Sequence, residues 1–105
     1  MDEQENMAQI SATLEGLVSA IDALEHDAIE AESADGKVTI LLENGEQLIL
    51  SRQSATGQIW LAEPSGGWHF DWNGSMWLCD KRGIELIQTL EDLLAGRVGE
   101  PVDLR

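Results

Sequence analysis

Three dipeptides, each set between alternating runs of apolar and polar residues, leave this chain few ways to fold. Asp35-Gly36 separates Ile29-Glu30-Ala31-Glu32-Ser33 from Val38-Thr39-Ile40-Leu41-Leu42, and Asn44-Gly45 separates that run from Gln47-Leu48-Ile49-Leu50-Ser51. Asn73-Gly74 joins Trp68-His69-Phe70-Asp71-Trp72 to the short run that ends at Cys79. Alternation with period two is the pattern of a strand with one face on a core and the other in water. Asp-Gly and Asn-Gly suit the positive φ that type I′ hairpin turns need at both central positions. Strands linked by hairpins pair antiparallel. The expected sheet is a meander of about six strands, opened by an edge strand whose Glu30 and Glu32 point outward.

Residues 58–80 hold all four tryptophans and the only Phe. In Gln58-Ile59-Trp60-Leu61-Ala62 the apolar pair for the core is Ile59 and Leu61, which sends Trp60 to the solvent side beside Gln58. On the neighbouring run Trp68, Phe70 and Trp72 take the core face, so His69 and Asp71 look out. Trp60 is out of phase with its apolar neighbours, and an exposed aromatic on a sheet marks a contact surface more often than an accident. In the last run Trp77 and Cys79 share one face, Met76 and Leu78 the other, and both faces look apolar.

Two helical stripes flank the strands. Met7, Ile10, Leu14, Leu17, Ile21 and Leu24 recur at spacings of three and four, which predicts an amphipathic helix from about Glu3 to about Leu24. Asp2, Glu3 and Glu5 fall in its first turn, where carboxylates favour the positive end of the helix dipole. Ile84, Ile87, Leu90, Leu93 and Leu94 predict a second helix, ended by Gly96. Two helices at the ends of the chain can cover one face of the sheet. The expected fold is a single α+β domain over residues 1–105, a two-layer sandwich with its other face wet.

Charge narrows the function. Asp and Glu number 20 against 6 Lys and Arg, a formal net charge of −14. Such a surface repels phosphate backbones and anionic membranes, and attracts cations and basic protein patches. One cysteine, Cys79, excludes an internal disulfide and fits a reducing cytosol. The acidic N-terminus has neither an apolar h-region nor Arg, so a signal or transit peptide is not expected. No apolar run approaches the length of a membrane span.

The turn Glu43-Asn44-Gly45, the run Gln58-Ile59-Trp60-Leu61, the loop Ser65-Gly66-Gly67, then His69-Phe70-Asp71 and Trp77, set between two helices, resemble the frataxins, most closely the bacterial branch, CyaY. The likeness spans essentially the whole chain and is most specific over residues 58–80. It implies a frataxin-like fold and cytoplasmic work in iron–sulfur cluster biogenesis. It also implies weak binding of ferrous and ferric iron through surface carboxylates, and contacts with the cysteine desulfurase and the scaffold on which clusters are built. The expected state is a monomer that can oligomerise with iron.

The acids can be weighed against that implication. Asp22, Glu25, Asp27, Glu30 and Glu32 gather where the first helix ends and the first strand begins, and Glu15 lies two turns above Asp22 on the helix flank. Ferrous iron accepts oxygen ligands, and open carboxylates bind it with little selection over manganese or other divalent cations. Taken singly, each acid reads as solvated surface. Together they repel one another unless something offsets the crowding, which favours a cation or a basic partner. Val18, Ser19 and Ala23 stand where the family often has further acids, so the ridge is thinner here. His26 could add an imidazole nitrogen. By resemblance, Gln58 and Trp60 belong to the surface that meets the assembly machinery, with His69 in support.

Three classes of function follow. The favoured one is an iron-binding protein that regulates or supplies the desulfurase and scaffold. A metal-independent adaptor of the desulfurase is the alternative. A ferroxidase is disfavoured, because a closed di-iron carboxylate site needs Glu-x-x-His spacing on facing helices and the chain has none. It also lacks a nucleophile elbow, a phosphate loop and a Cys-x-x-Cys pair. No catalytic residue is expected.

Overall fold

The structure, a computed structural model, describes residues 3–105, the side chain of Glu3 excepted. The expected dipole contribution of Asp2 and of the Glu3 carboxylate lies outside the described residues. The chain runs α1 (Glu3–Leu24), β1 (Ile29–Ala34), β2 (Lys37–Leu42), β3 (Gln47–Gln53), β4 (Gln58–Glu63), β5 (Gly66–Trp72), β6 (Trp77–Cys79) and α2 (Leu86–Val98). All six strands form one antiparallel sheet in sequence order, as hairpin links require. The α+β two-layer expectation holds.

The core lies between the helices and one face of that sheet. From α1 come Ile10, Leu14, Leu17 and Ile21, all buried, while Met7 and Leu24 at the stripe's ends are half-buried. The strands contribute Ile29, Val38, Ile40, Leu42, Leu48, Leu50, Ile59, Leu61 and Phe70 at alternating positions, with Trp68 and Trp72 packed at the margin. Burying one such side chain is worth about 1.5–3 kcal/mol against leaving it in water. The ambiguity in β6 resolves toward Trp77 and Cys79, both buried, with Met76 left exposed. The deciding contact is polar: the Trp77 indole N–H donates to Thr13 Oγ1 of α1 at 2.9 Å, and an indole enters a core cheaply only with its N–H satisfied.

Two expectations need correction. Helix α2 does not stop at Gly96; it continues to Val98, and Gly99 ends it in the left-handed region at φ 77°, its N–H donating to the Ala95 carbonyl. A lone glycine inside a helix costs about 1 kcal/mol without breaking it. Ile84 precedes the helix and is exposed; Leu86 takes the buried place in the stripe, with Leu90 and Leu94. The turns also divide. Asp35 and Gly36, at φ 52° and 76°, have the positive φ pair of a type I′ turn, and the Arg52 guanidinium lies over Gly36. Asn44 and Asn73 do not reach positive φ. After Leu42 the Gly45 N–H bonds the Leu42 carbonyl and Gly45 alone turns left-handed, at φ 91°, so a three-residue loop with a bulge replaces the two-residue turn. The Asn73 side chain accepts from the N–H groups of Ser75 and Met76, a local Asx arrangement that competes with the tight hairpin.

At one end of the sandwich the Glu63 carboxylate, at the close of β4, faces inward and pairs with the Arg97 guanidinium of α2 at 2.9 Å. At the other end residues 101–105 return along the helix layer. Val102 and Leu104 are buried, the Leu104 N–H donates to Glu91 at 2.8 Å, and Arg105 pairs with Glu85, the residue that caps α2.

Candidate functional site

Helix α1 ends because Glu25 leaves the helical region for a left-handed conformation, φ 50°, more usual for glycine at that place. The chain then reverses through His26, Asp27 and Ala28 into β1. This reversal gathers Asp22 and Glu25 from the helix with Glu30 and Glu32 from the edge strand around one shallow hollow, floored by Ile21, Ile29 and Ala31. All four carboxylates are exposed, and among the described residues none of them has a Lys or Arg within ion-pair distance. Asp27 is exposed and equally unpaired but is not part of the hollow's wall. Glu15 lies apart, in a second hollow beside Lys37 and Arg52. Among the described residues no three His, Cys, Asp or Glu side chains converge closely enough to enclose a metal ion.

His26 also lines the acidic hollow, yet both of its nitrogens are engaged. Nδ1 accepts the Ala28 N–H at 3.1 Å, and Nε2 meets the Glu100 carboxylate. It ties the reversal to the segment after α2 instead of presenting a free ligand.

The second candidate surface is the open face of the sheet. Trp60 is half-buried and stacks on His69 of β5, ring centroids 4.4 Å apart and planes 16° from parallel. Its indole N–H donates to Gln58 Oε1 at 2.8 Å. The Gln58 amide nitrogen in turn reaches Asp71 Oδ1 at 3.1 Å and Asp80 Oδ2 at 3.4 Å. Asp80 sits just past β6, where its backbone N–H bonds the His69 carbonyl, and its carboxylate lies 3.7 Å from His69 Nδ1. The network therefore runs from β4 across β5 to the segment after β6. Gln58, Trp60 and His69 are brought together as the alternation predicts. Asp80 was not legible, because a strand of three residues gives no phase for the residue after it.

The two surfaces are continuous. Glu32 pairs with Thr39, Thr39 with Ile49 and Ile49 with Ala62, all outward-facing, and Ala62 is two residues from Trp60 on the same face. Glu30 and Glu32 thus border the face that holds Trp60, on a strand three spacings, or about 14 Å, across the sheet from β4.

A family model for a frataxin-like domain matches residues 1–100. The chain belongs to the frataxin family. Among solved structures, a frataxin of the CyaY family from Psychromonas ingrahamii superimposes with a TM-score of 0.88 at 26% identity, covering 100% of this chain and 99% of that one. A trimeric frataxin from the yeast Saccharomyces cerevisiae, complexed with ferrous iron, is similar at a TM-score of 0.63 and 25% identity, over 95% of this chain and 88% of that one. A trimeric yeast frataxin with its full-length N-terminus shares the fold at a TM-score of 0.75 and 24% identity, over 87% and 79% of the two chains. In this frataxin no described helix is long and apolar enough to cross a membrane.

Proposed function

We propose that this frataxin binds ferrous and ferric iron weakly through Asp22, Glu25, Glu30 and Glu32, with Asp27 and Glu15 as outlying acids. We further propose that it regulates or supplies a cytoplasmic complex of cysteine desulfurase and iron–sulfur scaffold. The observation that carries this reading is the crowding around one hollow of four carboxylates with no Lys or Arg partner among the described residues, in a chain of formal net charge −14. Carboxylates in open geometry hold a divalent cation loosely and exchange it readily, as a cargo or a signal requires, and manganese or another divalent ion would compete. Family membership and the yeast relative crystallised with ferrous iron support iron as the cargo. A dedicated ferroxidase finds little support, since an open carboxylate border lacks the closed geometry that di-iron oxidation uses.

Docking on the desulfurase would use the same carboxylates against a basic patch, while Trp60 supplies the desolvated anchor beside Gln58 and His69. The test is an anaerobic ferrous titration followed by amide NMR. Shifts confined to residues 22–32 support the metal reading, and a silent spectrum leaves the metal-independent adaptor. Affinity for the desulfurase should fall as ionic strength rises; affinity equal at low and high salt removes the ridge as docking surface.

A further inference from the structure

Resting on the reading of the Trp60 face as a partner surface, we propose that this face receives an arginine side chain of the partner. Its apolar stem lies against Trp60 and His69, and its guanidinium is held by Asp71 and Asp80. The observation behind this is the convergence of two carboxylates on one nitrogen donor. The Gln58 amide nitrogen stands 3.1 Å from Asp71 Oδ1 and 3.4 Å from Asp80 Oδ2. Both acids are exposed, and among the described residues no Lys or Arg is within ion-pair distance of either; only His69 approaches Asp80, at 3.7 Å. A neutral amide therefore bridges two negative groups whose remaining lone pairs have no cation. A positive N–H donor beside that amide would gain from both charges.

The rest of the face specifies the shape of the occupant. The donor of Trp60 is already committed to Gln58, so the indole offers apolar surface rather than a hydrogen bond. The stack of Trp60 on His69 stands directly beside Asp80. A long apolar stem ending in a planar fork fits that order of aromatic and acid, and the fork can reach two carboxylates at once. An ammonium could answer the charge but not the two-point geometry. The face asks for a positive partner, whereas a phosphate or an acidic peptide would be repelled.

The experiment titrates this frataxin with the tripeptide acetyl-Gly-Arg-Gly-amide and with its neutral citrulline analogue, following the Trp60 indole N–H and the backbone amides of His69 and Asp71 by NMR. The arginine peptide should shift these signals saturably, and the citrulline peptide about tenfold more weakly or not at all. The double variant Asp71→Asn, Asp80→Asn, both sites exposed, should keep its amide spectrum and lose the response. Equal shifts with citrulline, an undiminished response in the double variant, or shifts only at residues 22–32 would overturn the proposal. Affinity for a desulfurase–scaffold complex separates the two readings. If Trp60→Ala weakens it and the double Asn variant does not, the arginine seat fails and the partner surface stands. If neither variant weakens it, both fail.

Discussion

Replacing Arg97 by Met should unfold this protein far more readily than the position's place near the end of a helix suggests. The Glu63 side chain is 1% exposed and the Arg97 side chain 17%, so the pair is shielded well enough that little is lost to solvent screening. Without the guanidinium, Glu63 keeps the Ser65 hydroxyl as its other partner and remains a buried, uncompensated charge. Breaking a buried pair from one side costs about 3–5 kcal/mol. For a domain of this size each kcal/mol moves the melting temperature by about 4–8 °C, so a fall of at least about 12 °C is expected. The pair itself need not be strongly stabilising. Arg97 Nε is buried without a hydrogen bond, Glu46 lying 3.8 Å from it, and desolvation offsets much of the attraction. The double variant Glu63→Leu, Arg97→Met should therefore recover most of the loss. Urea unfolding followed by tryptophan fluorescence gives both numbers. A single variant that loses less than about 1 kcal/mol, or a double variant as weak as the single, would refute the argument that the stranded charge sets the cost.

Further outcomes can be set beside this one. Gly99→Ala should cost about 1 kcal/mol by forcing a side chain into the left-handed cap, whereas Gly96→Ala, with open space around its added methyl, should stabilise by about 0.5–1 kcal/mol; urea midpoints distinguish them. Removing residues 102–105 exposes the sites of Val102 and Leu104 and should cost on the order of 3–5 kcal/mol, seen as an earlier calorimetric melt. Glu30→Gln with Glu32→Gln should raise stability by a few tenths of a kcal/mol through relieved repulsion while weakening ferrous-induced NMR shifts; a less stable variant with unchanged shifts would contradict the crowding argument. Trp60→Ala should cost about 1–3 kcal/mol in stability, a lost aromatic stack plus the apolar area of a half-buried indole, but reduce desulfurase–scaffold affinity at least tenfold.

How much of this was readable in advance depends on the range of the interaction concerned. The α1 stripe and the outward side of Trp60 against Ile59 and Leu61 follow from periodicity, because the helix and strand repeats place each side chain relative to its neighbours whatever the rest of the chain does. The Asp35-Gly36 turn held because two strands of matched register meet there. The two Asn-Gly loops differ because the bulge after Leu42 and the Asn73 side chain offer the backbone other hydrogen bonds. Gly96 misled for a similar reason: packing of Leu90 and Leu94 outweighs the propensity of one residue.

The chain's own pattern of alternation, turns and terminal stripes determines a helix, an antiparallel meander and a second helix, and it crowds acids at the first junction. Those are short-range matters, settled within a few residues. Three features were decided only by tertiary structure. The buried meeting of Glu63 with Arg97 is one. Another is the engagement of both His26 nitrogens, which removes it as a free ligand. The third is the bridge from Gln58 to Asp71 and Asp80. Each depends on residues distant in sequence, Glu100 in the case of His26, and a side chain's partner across a sheet or between layers depends on register and packing that no local pattern encodes.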